Sequence, residues 1–337
     1  LPSLEAEELF IDFILKIYES VNYIFIISGN HDSDLKLKNL NKYNEIINKF
    51  STKKILIYTY LDLEEYFNTS LNPPYFKLET SDKPIFLIFI PFIEYKMGLK
   101  FHQNFQTEKE YSYSKLHSLI IQKILEEAKL PKNSIKILIM HTMLDQATLG
   151  NSESPIYISD IYKVLLNDIN FDFHYIALGH IHRYQKIQNA YYSGSIIPLD
   201  FGEDYKHGII LNKIQNNLIE SEFIELKNYK RLLTLNLKTK DDVNNLITLI
   251  EKHKNDYIKI KIHNHIDPKL LDISKLINFE NVIKIERFEK ENLQQEKLTQ
   301  NKDQLELINT LDFSNVLKIY QLYCENVKKI NIKNQQD

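Results

Sequence analysis

Glycine is scarce in this chain, seven residues in 337, and four of the seven stand in short polar phrases beside side chains that can bind metals or move protons. The phrases are Ser28-Gly29-Asn30-His31-Asp32, Leu178-Gly179-His180-Ile181-His182-Arg183, Ser193-Gly194-Ser195 and Phe201-Gly202-Glu203. The first two hold three of the eleven histidines. Only glycine enters closely approached or left-handed backbone without cost, so its placement beside imidazole and amide groups points to a site. In His180-Ile181-His182 the imidazoles are two residues apart, and extended backbone turns both to one side, as a metal centre requires. Imidazole with an Asn carbonyl oxygen suits borderline divalent ions such as manganese, and paired ions clamp the attacking and leaving oxygens of a phosphoester. Taken singly, His174, His207, His253, His263 and His265 read as hydrogen-bonded structural residues.

The elements that precede these phrases must position them. Apolar runs at 21–27 and 175–178 lead directly into the first two, and the run 135–140 ends on His141. Sites in open α/β sheets form at the carboxyl ends of strands, so the three loops are expected to converge. Further strands are expected at 55–60 and 84–92, and helices at 4–18, 111–128 and 159–166. This alternation argues for α/β. Between 186 and 225 short strands joined at Gln188-Asn189 and Asn216-Asn217 read as antiparallel hairpins of a second sheet. From Tyr229 the order becomes strand (231–237), helix (241–253), strand (257–263), helix (268–277) and strand (282–288), a small separate α/β domain. Beyond Glu289 a Lys-, Glu-, Gln- and Asn-rich stretch with periodic Leu and Ile reads as a linker and a helical segment.

Hydrophobic residues at 43% and charged residues at 26% describe a folded protein and exclude a disordered one. A net charge of −3 gives no global case for nucleic acid, and with only Arg183, Arg231 and Arg287 as arginines, phosphate contacts would fall to lysines. Cys324 is the lone cysteine, so a disulfide within the chain and a Cys-rich zinc site are excluded, in agreement with a reducing compartment. The longest apolar run, 85–93, is far short of the ~20 residues of a membrane helix. Glu5, Glu7, Glu8 and Asp12 stand where a secretory signal carries basic residues, so a cytoplasmic location is expected, nucleoid-associated in a bacterium.

Gly29-Asn30-His31-Asp32, the strand-terminal His141 and Gly179-His180-Ile181-His182 together resemble the calcineurin-like metallophosphoesterases in order and spacing. Within that superfamily, the phrase from Tyr192 to Glu203 and the opening from Leu1 to Phe10 resemble the DNA double-strand-break nuclease family known as SbcD or meiotic-recombination-eleven. The resemblance covers roughly residues 1–226. It implies a two-sheet sandwich flanked by helices as the nuclease domain (1–226), a small α/β capping domain (227–289) and a linker with a helical partner-binding segment (290–337). It further implies two manganese ions per subunit, with magnesium as a substitute: Asn30, His141 and His180 would bind one and His182 the other. His31 would be the catalytic residue, beside the scissile phosphate, stabilising charge and helping the leaving oxygen, a task suited to an imidazole. The family's first two motifs, an Asp-x-His and a Gly-Asp-x-x-Asp, would lie upstream of Leu1, and a chain without them is expected to bind two metals poorly and cleave little. Asp172-Phe173-His174 matches Asp-x-His but precedes its strand, and reads as a chance match.

The implied activity is exonucleolytic and endonucleolytic hydrolysis of phosphodiesters at DNA ends, in company with a coiled-coil ATPase of the SbcC type. Two other readings stand beside it, a general phosphodiesterase and a non-catalytic scaffold that holds DNA and the ATPase. The amphipathic helix at 4–18 serves either the core or a homodimer, and its wide apolar stripe favours the dimer. The segment 305–330 serves either ATPase docking or packing on its own domain. Asp32 either orients its loop or caps the following helix. Lys96, Lys100, Lys186 and Lys206 are candidate phosphate contacts, or solvated surface lysines.

Overall fold

The structure, a computed structural model, describes residues 3–103, 111–150, 152–215, 218–267, 270–276 and 278–288. The chain divides into two compact units. The first runs to Leu233 and takes in His253–Tyr257, and the second comprises Thr234–Lys252 and residues from Ile258 onward.

In the first unit the elements are α1 (Leu4–Tyr18), β1 (Tyr23–Ile27), α2 (Asp34–Phe50), β2 (Lys54–Tyr58), α3 (Tyr60–Thr69), β3 (Tyr75–Leu78), β4 (Ile85–Ile90), α4 (Tyr95–Gln103) and α5 (Tyr113–Ala128). They are followed by β5 (Ile135–His141), β6 (Met143–Leu144), β7 (Lys163–Val164), α6 (Leu166–Ile169), β8 (Tyr175–Gly179), β9 (Gln185–Ile187), β10 (Ala190–Tyr192), β11 (Gly208–Gln215) and β12 (Leu218–Glu225). Six strands form one sheet in the order β3-β4-β5-β8-β10-β9. Its four middle strands are parallel and its two edges antiparallel.

Both faces of this sheet are covered, which is why its strands read as continuous apolar runs. All six residues of β4 are buried, and the side-chain alternation of a strand divides them. Ile88 and Ile90 join Leu138, Met140, Ile176 and Leu178 under Leu116, Ile120, Ile121 and Ile124 of α5. Leu87 and Phe89 face the other way, with Ile137 and Tyr175, toward Phe25, Ile27 and Tyr58 of the parallel pair β1-β2 and Ile214 and Ile219 of the antiparallel ribbon β11-β12. The result is a mixed α/β sandwich of layers flanked by helices.

Local chemistry sets the helix boundaries. Ser112 caps α5, Ser3 caps α1, and Thr59 with Asp62 forms a capping box that ends β2 and starts α3. A helix was expected at 159–166, and the chain instead makes a single 3-10 turn (Asp160–Tyr162) before β7. Tyr162 is drawn into the core against Phe92, and Val164, fully buried, pairs with Leu144 of β6. Tertiary pairing of a β-branched residue thus overrides the local pattern. The Gln188-Asn189 turn does make a hairpin, β9-β10, but this ribbon extends the first sheet and leaves β11-β12 on its own. Helices α3 and α4 were not expected from the sequence, and α2 was expected only as the helix that Asp32 would cap.

In the second unit β13 (Leu232–Leu237), β14 (Tyr257–His263) and β15 (Val282–Phe288) form a three-stranded sheet. The helix expected at 241–253 is interrupted at Asn245 into α7 (Lys240–Asn244) and α8 (Leu246–Lys252). The expected helix at 268–277 is described as α9 (Ile273–Leu276). Leu237, Leu246, Ile250, Ile258, Ile260 and Ile262 make the core of this unit. The expected segments at 290–337 and 305–330 lie outside the described residues. Among the described residues no helix is long and apolar enough to cross a membrane.

His117, on the buried face of α5, is fully enclosed, and its Nδ1–H donates to the Tyr113 carbonyl at 2.8 Å while Nε2 meets no partner. Burial holds its pKa down, at about 4. As pH falls from about 6.5 to about 4 the unfolded chain takes up a proton that the folded chain refuses, so stability drops by roughly 1.4 kcal/mol per pH unit, about 3 kcal/mol over the window. His117→Leu is expected to remove one proton's worth of this slope. Urea midpoints at pH 7 and pH 4.5 check it, and an unchanged difference between the two would contradict the assignment.

Candidate metal centre

The loop after β1 is built to hold one conformation. Gly29 N–H donates to Asp32 Oδ2 at 2.7 Å and Asp32 N–H to the Gly29 carbonyl at 3.2 Å. Asp32 therefore closes the loop, and the cap of α2 is its neighbour Ser33, whose side chain accepts from Lys36 N–H. Ser28 Oγ donates to Asp34 Oδ1 at 2.5 Å, and the same oxygen takes Tyr60 N–H at 3.2 Å. Burial raises the Asp34 pKa. The Ser28 carbonyl accepts Phe92 N–H at 3.0 Å, so the loop is tied to the end of β4 as well.

Three side chains from three strand ends meet here. Asn30 Oδ1 lies 2.8 Å from His141 Nε2 and 3.3 Å from His180 Nδ1. His180 Nε2 lies 3.3 Å from the Tyr157 carbonyl, which only accepts; a proton on Nε2 leaves the lone pair on Nδ1. The His141 ring sits between two glycines: a Cβ at Gly29 would lie 2.6 Å from its Cε1, and one at Gly179 would lie 2.8 Å from its Nδ1. The Phe92 ring stacks on His180 and meets His141 edge-on. Burial, then the neighbouring imidazoles His180, His31 and His182, press the His141 pKa to about 3, and burial lowers that of His180. Both rings are therefore neutral and have lone pairs to give.

His180 does not continue β8 in extended form. Its φ is +104°, a sparsely populated region for a residue with a Cβ. The expectation that extended backbone turns His180 and His182 to the same side is corrected accordingly. His180 joins Asn30 and His141, whereas His182 has Nδ1 2.6 Å from Ser152 Oγ and its N–H on Glu153 Oε1 at 2.9 Å. His31 is exposed at the loop tip, its ring 6.4 Å from that of Tyr157 in an edge arrangement. His174 stands at the other end of the strands, where Nδ1 accepts Lys136 N–H, so Asp172-Phe173-His174 contributes nothing here. Lys206 pairs with Glu225 and Lys186 lies over the Tyr191 ring, while Lys96 and Lys100 are exposed on α4.

Sequence reasoning missed Phe92, Tyr157, Ser152 and Glu153 as parts of the site. No spacing rule connects them to the histidines, because Phe92 follows β4 while Ser152, Glu153 and Tyr157 come from the segment between β6 and β7, all distant in the chain from Asn30 and His180. The donor set Asn30, His141 and His180 fits one divalent ion of borderline softness, since a ring nitrogen of each neutral imidazole already stands 2.8 and 3.3 Å from the amide oxygen. Among the described residues no group of three His, Cys, Asp or Glu side chains adds to it. The family model described as calcineurin-like phosphoesterase matches residues 3–184, more than half of the chain and inclusive of Asn30, His31, His141, His180 and His182. No curated protein matches the chain.

Proposed function

Because the chain belongs to the calcineurin-like phosphoesterase family, whose members hydrolyse phosphoesters with divalent metals, we propose that its substrate is the phosphodiester backbone of DNA ends. The observation that carries the reading is the meeting of Asn30, His141 and His180 with His31 exposed on the same loop. The Tyr192-to-Glu203 phrase supports the nuclease branch of the family, since Ser195 and Glu203 from it close around His182.

A divalent ion, manganese in this reading, supplies Lewis-acid polarisation of the phosphoryl oxygen and a readily ionised water. Asn30, His141 and His180 would hold it, and Phe92 packs on one side of the two imidazoles. His182 would be a ligand of the second ion. His31 hydrogen-bonds a phosphoryl oxygen and gives its proton to the leaving oxygen. DNA is held through its phosphates, so binding falls steeply with salt and is indifferent to sequence.

The test is manganese-dependent cleavage, by the protein at its native length, of an end-labelled duplex and of bis-p-nitrophenyl phosphate. His31→Gln is expected to slow cleavage by about 10²- to 10⁴-fold, the range for a lost general acid, with manganese binding unchanged. Loss of manganese in that variant would make His31 a ligand instead. Cleavage of the small diester alone would assign a general phosphodiesterase, and duplex binding without any cleavage a scaffold.

The proposal extends to partners. No residue of α1 is buried, and Leu4, Leu9, Phe13 and Leu15 are all more than half exposed, an apolar surface suited to a homodimer. Phe13→Glu is expected to shift the sedimentation coefficient from dimer to monomer without lowering the melting temperature. The coiled-coil ATPase would dock on the segment 305–330.

A further inference from the structure

We infer that Ser152 and Glu203 are positioning residues for His182, fixing its imidazole as the tautomer with the proton on Nδ1 and the lone pair on Nε2. The inference rests on the proposed role of His182 in the metal centre and goes on to say what prepares it for that role.

The direction of each proton follows from the donor inventory. Glu203 is buried to the last atom of its side chain, and both of its oxygens are occupied as acceptors. Oε2 takes Leu199 N–H at 2.9 Å, and Oε1 is in hydrogen-bond contact with Ser152 Oγ. With Oε2 taken by Leu199 N–H, Oε1 accepts the single hydroxyl proton of Ser152. Ser152 Oγ then has only lone pairs left for His182 Nδ1, 2.6 Å away. A contact that short between two heavy atoms needs a proton, and the imidazole must supply it. The chain therefore runs from His182 Nδ1–H to Ser152 Oγ–H to Glu203, and Nε2 is left basic.

The backbone around His182 shows the same over-determination. Its N–H is held by Glu153 Oε1, which also takes Gly150 N–H at 3.0 Å, and its carbonyl accepts Ser195 N–H at 2.9 Å. Gly194, at φ +76°, comes so close that a Cβ there would lie 2.5 Å from the His182 carbonyl oxygen. The His207 ring completes the enclosure, with Nδ1 3.0 Å from Ser195 Oγ and Nε2 3.7 Å from Glu203 Oε2. A histidine that needed only to fill space would not require its N–H, its carbonyl and one ring nitrogen all to be fixed. One that must present a lone pair to a cation does, because the hydrogen bond at one ring nitrogen sets what the other can do.

The tautomer is read directly by long-range proton–nitrogen NMR on the ¹⁵N-histidine-labelled full chain, without metal or substrate, with His182→Asn used to assign the signal. The expected result is a single form protonated on Nδ1. Ser152→Ala is expected to convert the majority of His182 to the form protonated on Nε2, and Ser152→Thr, which keeps the hydroxyl, to restore the original form. Where Ser152→Ala loses the folded spectrum, Glu203→Gln, of nearly equal volume, is expected to produce the same conversion. A wild-type His182 protonated on Nε2 overturns the inference with no variant needed. So does a Ser152→Ala spectrum in which the tautomer is unchanged while the other histidines keep their native shifts. Failure of DNA cleavage would overturn the nuclease reading and leave this measurement standing, so the two fail separately.

Discussion

Gly29→Ala is expected to weaken divalent-ion binding 10- to 100-fold with little change in melting temperature. The methyl group would sit 2.6 Å from His141 Cε1, 2.9 Å from Nδ1 and 3.0 Å from Nε2, closer than carbon and nitrogen can approach. The imidazole cannot swing away toward Gly179, where the same ring already leaves no room for a Cβ. It must therefore rotate out of line with Asn30 Oδ1, to which it now reaches at 2.8 Å. Misplacing one ligand commonly costs a tenfold to hundredfold loss of affinity. Gly194 is the glycine with positive φ among the described residues, so alanine at 29 adds no backbone strain, and its smaller unfolded-state entropy offsets part of the steric cost. Manganese titration followed by electron paramagnetic resonance, beside a thermal melt, checks both halves. Unchanged affinity would mean that His141 is not a ligand.

Phe89→Ala is expected to cost about 3–5 kcal/mol, the range for truncating a buried aromatic, and to lower the melting temperature by roughly 10 °C for a unit of this size. Phe89 is fully buried on β4 and is one of the residues through which the two strand layers touch. Its ring stacks on Tyr58 of β2 with centroids 4.1 Å apart and meets Phe25 of β1 at 5.3 Å. Neither β1 nor β2 belongs to the six-stranded sheet, so this aromatic cluster is a principal contact that docks them. Because Asn30 follows β1, the cavity is also expected to loosen the candidate metal site, whereas Phe89→Leu should lose only part of the stability. Denaturant unfolding measures the cost, and a loss below 1 kcal/mol would show that the layers do not depend on this contact.

The sequence carried much of this. Strands with both faces buried had to be unbroken apolar runs, so β4, β5 and β8 were visible together with the polar residues that end them, and the half-buried β1 showed as an apolar run too. Scarce glycines marked the loops where side chains and backbone crowd, and two of them proved to be the walls of the His141 pocket. The surface helix α1 showed in its periodicity, and the structure gives it the same bounds. Helix α2 left a fainter signal, the Ser33 cap followed by Leu37, Leu40, Asn44 and Ile47, diluted by lysine and asparagine.

What the sequence could not express is anything that depends on a partner distant in the chain. The turn at Asp160–Tyr162 and the strand after it follow from where Tyr162 and Val164 find room and a pairing edge, and local propensity does not know that. The hairpin at Gln188-Asn189 was legible, but the sheet it joins is chosen by the open edge of β8. The same holds in the site. That the loops carrying Asn30, His141 and His180 converge could be expected from strand ends alone. That His180 turns back at positive φ while His182 goes to Ser152 and Glu203 was decided by the tertiary structure. Residue types determine which atoms can bind a metal or carry a proton, whereas burial and the fixed positions of neighbouring donors and acceptors decide which atom does so.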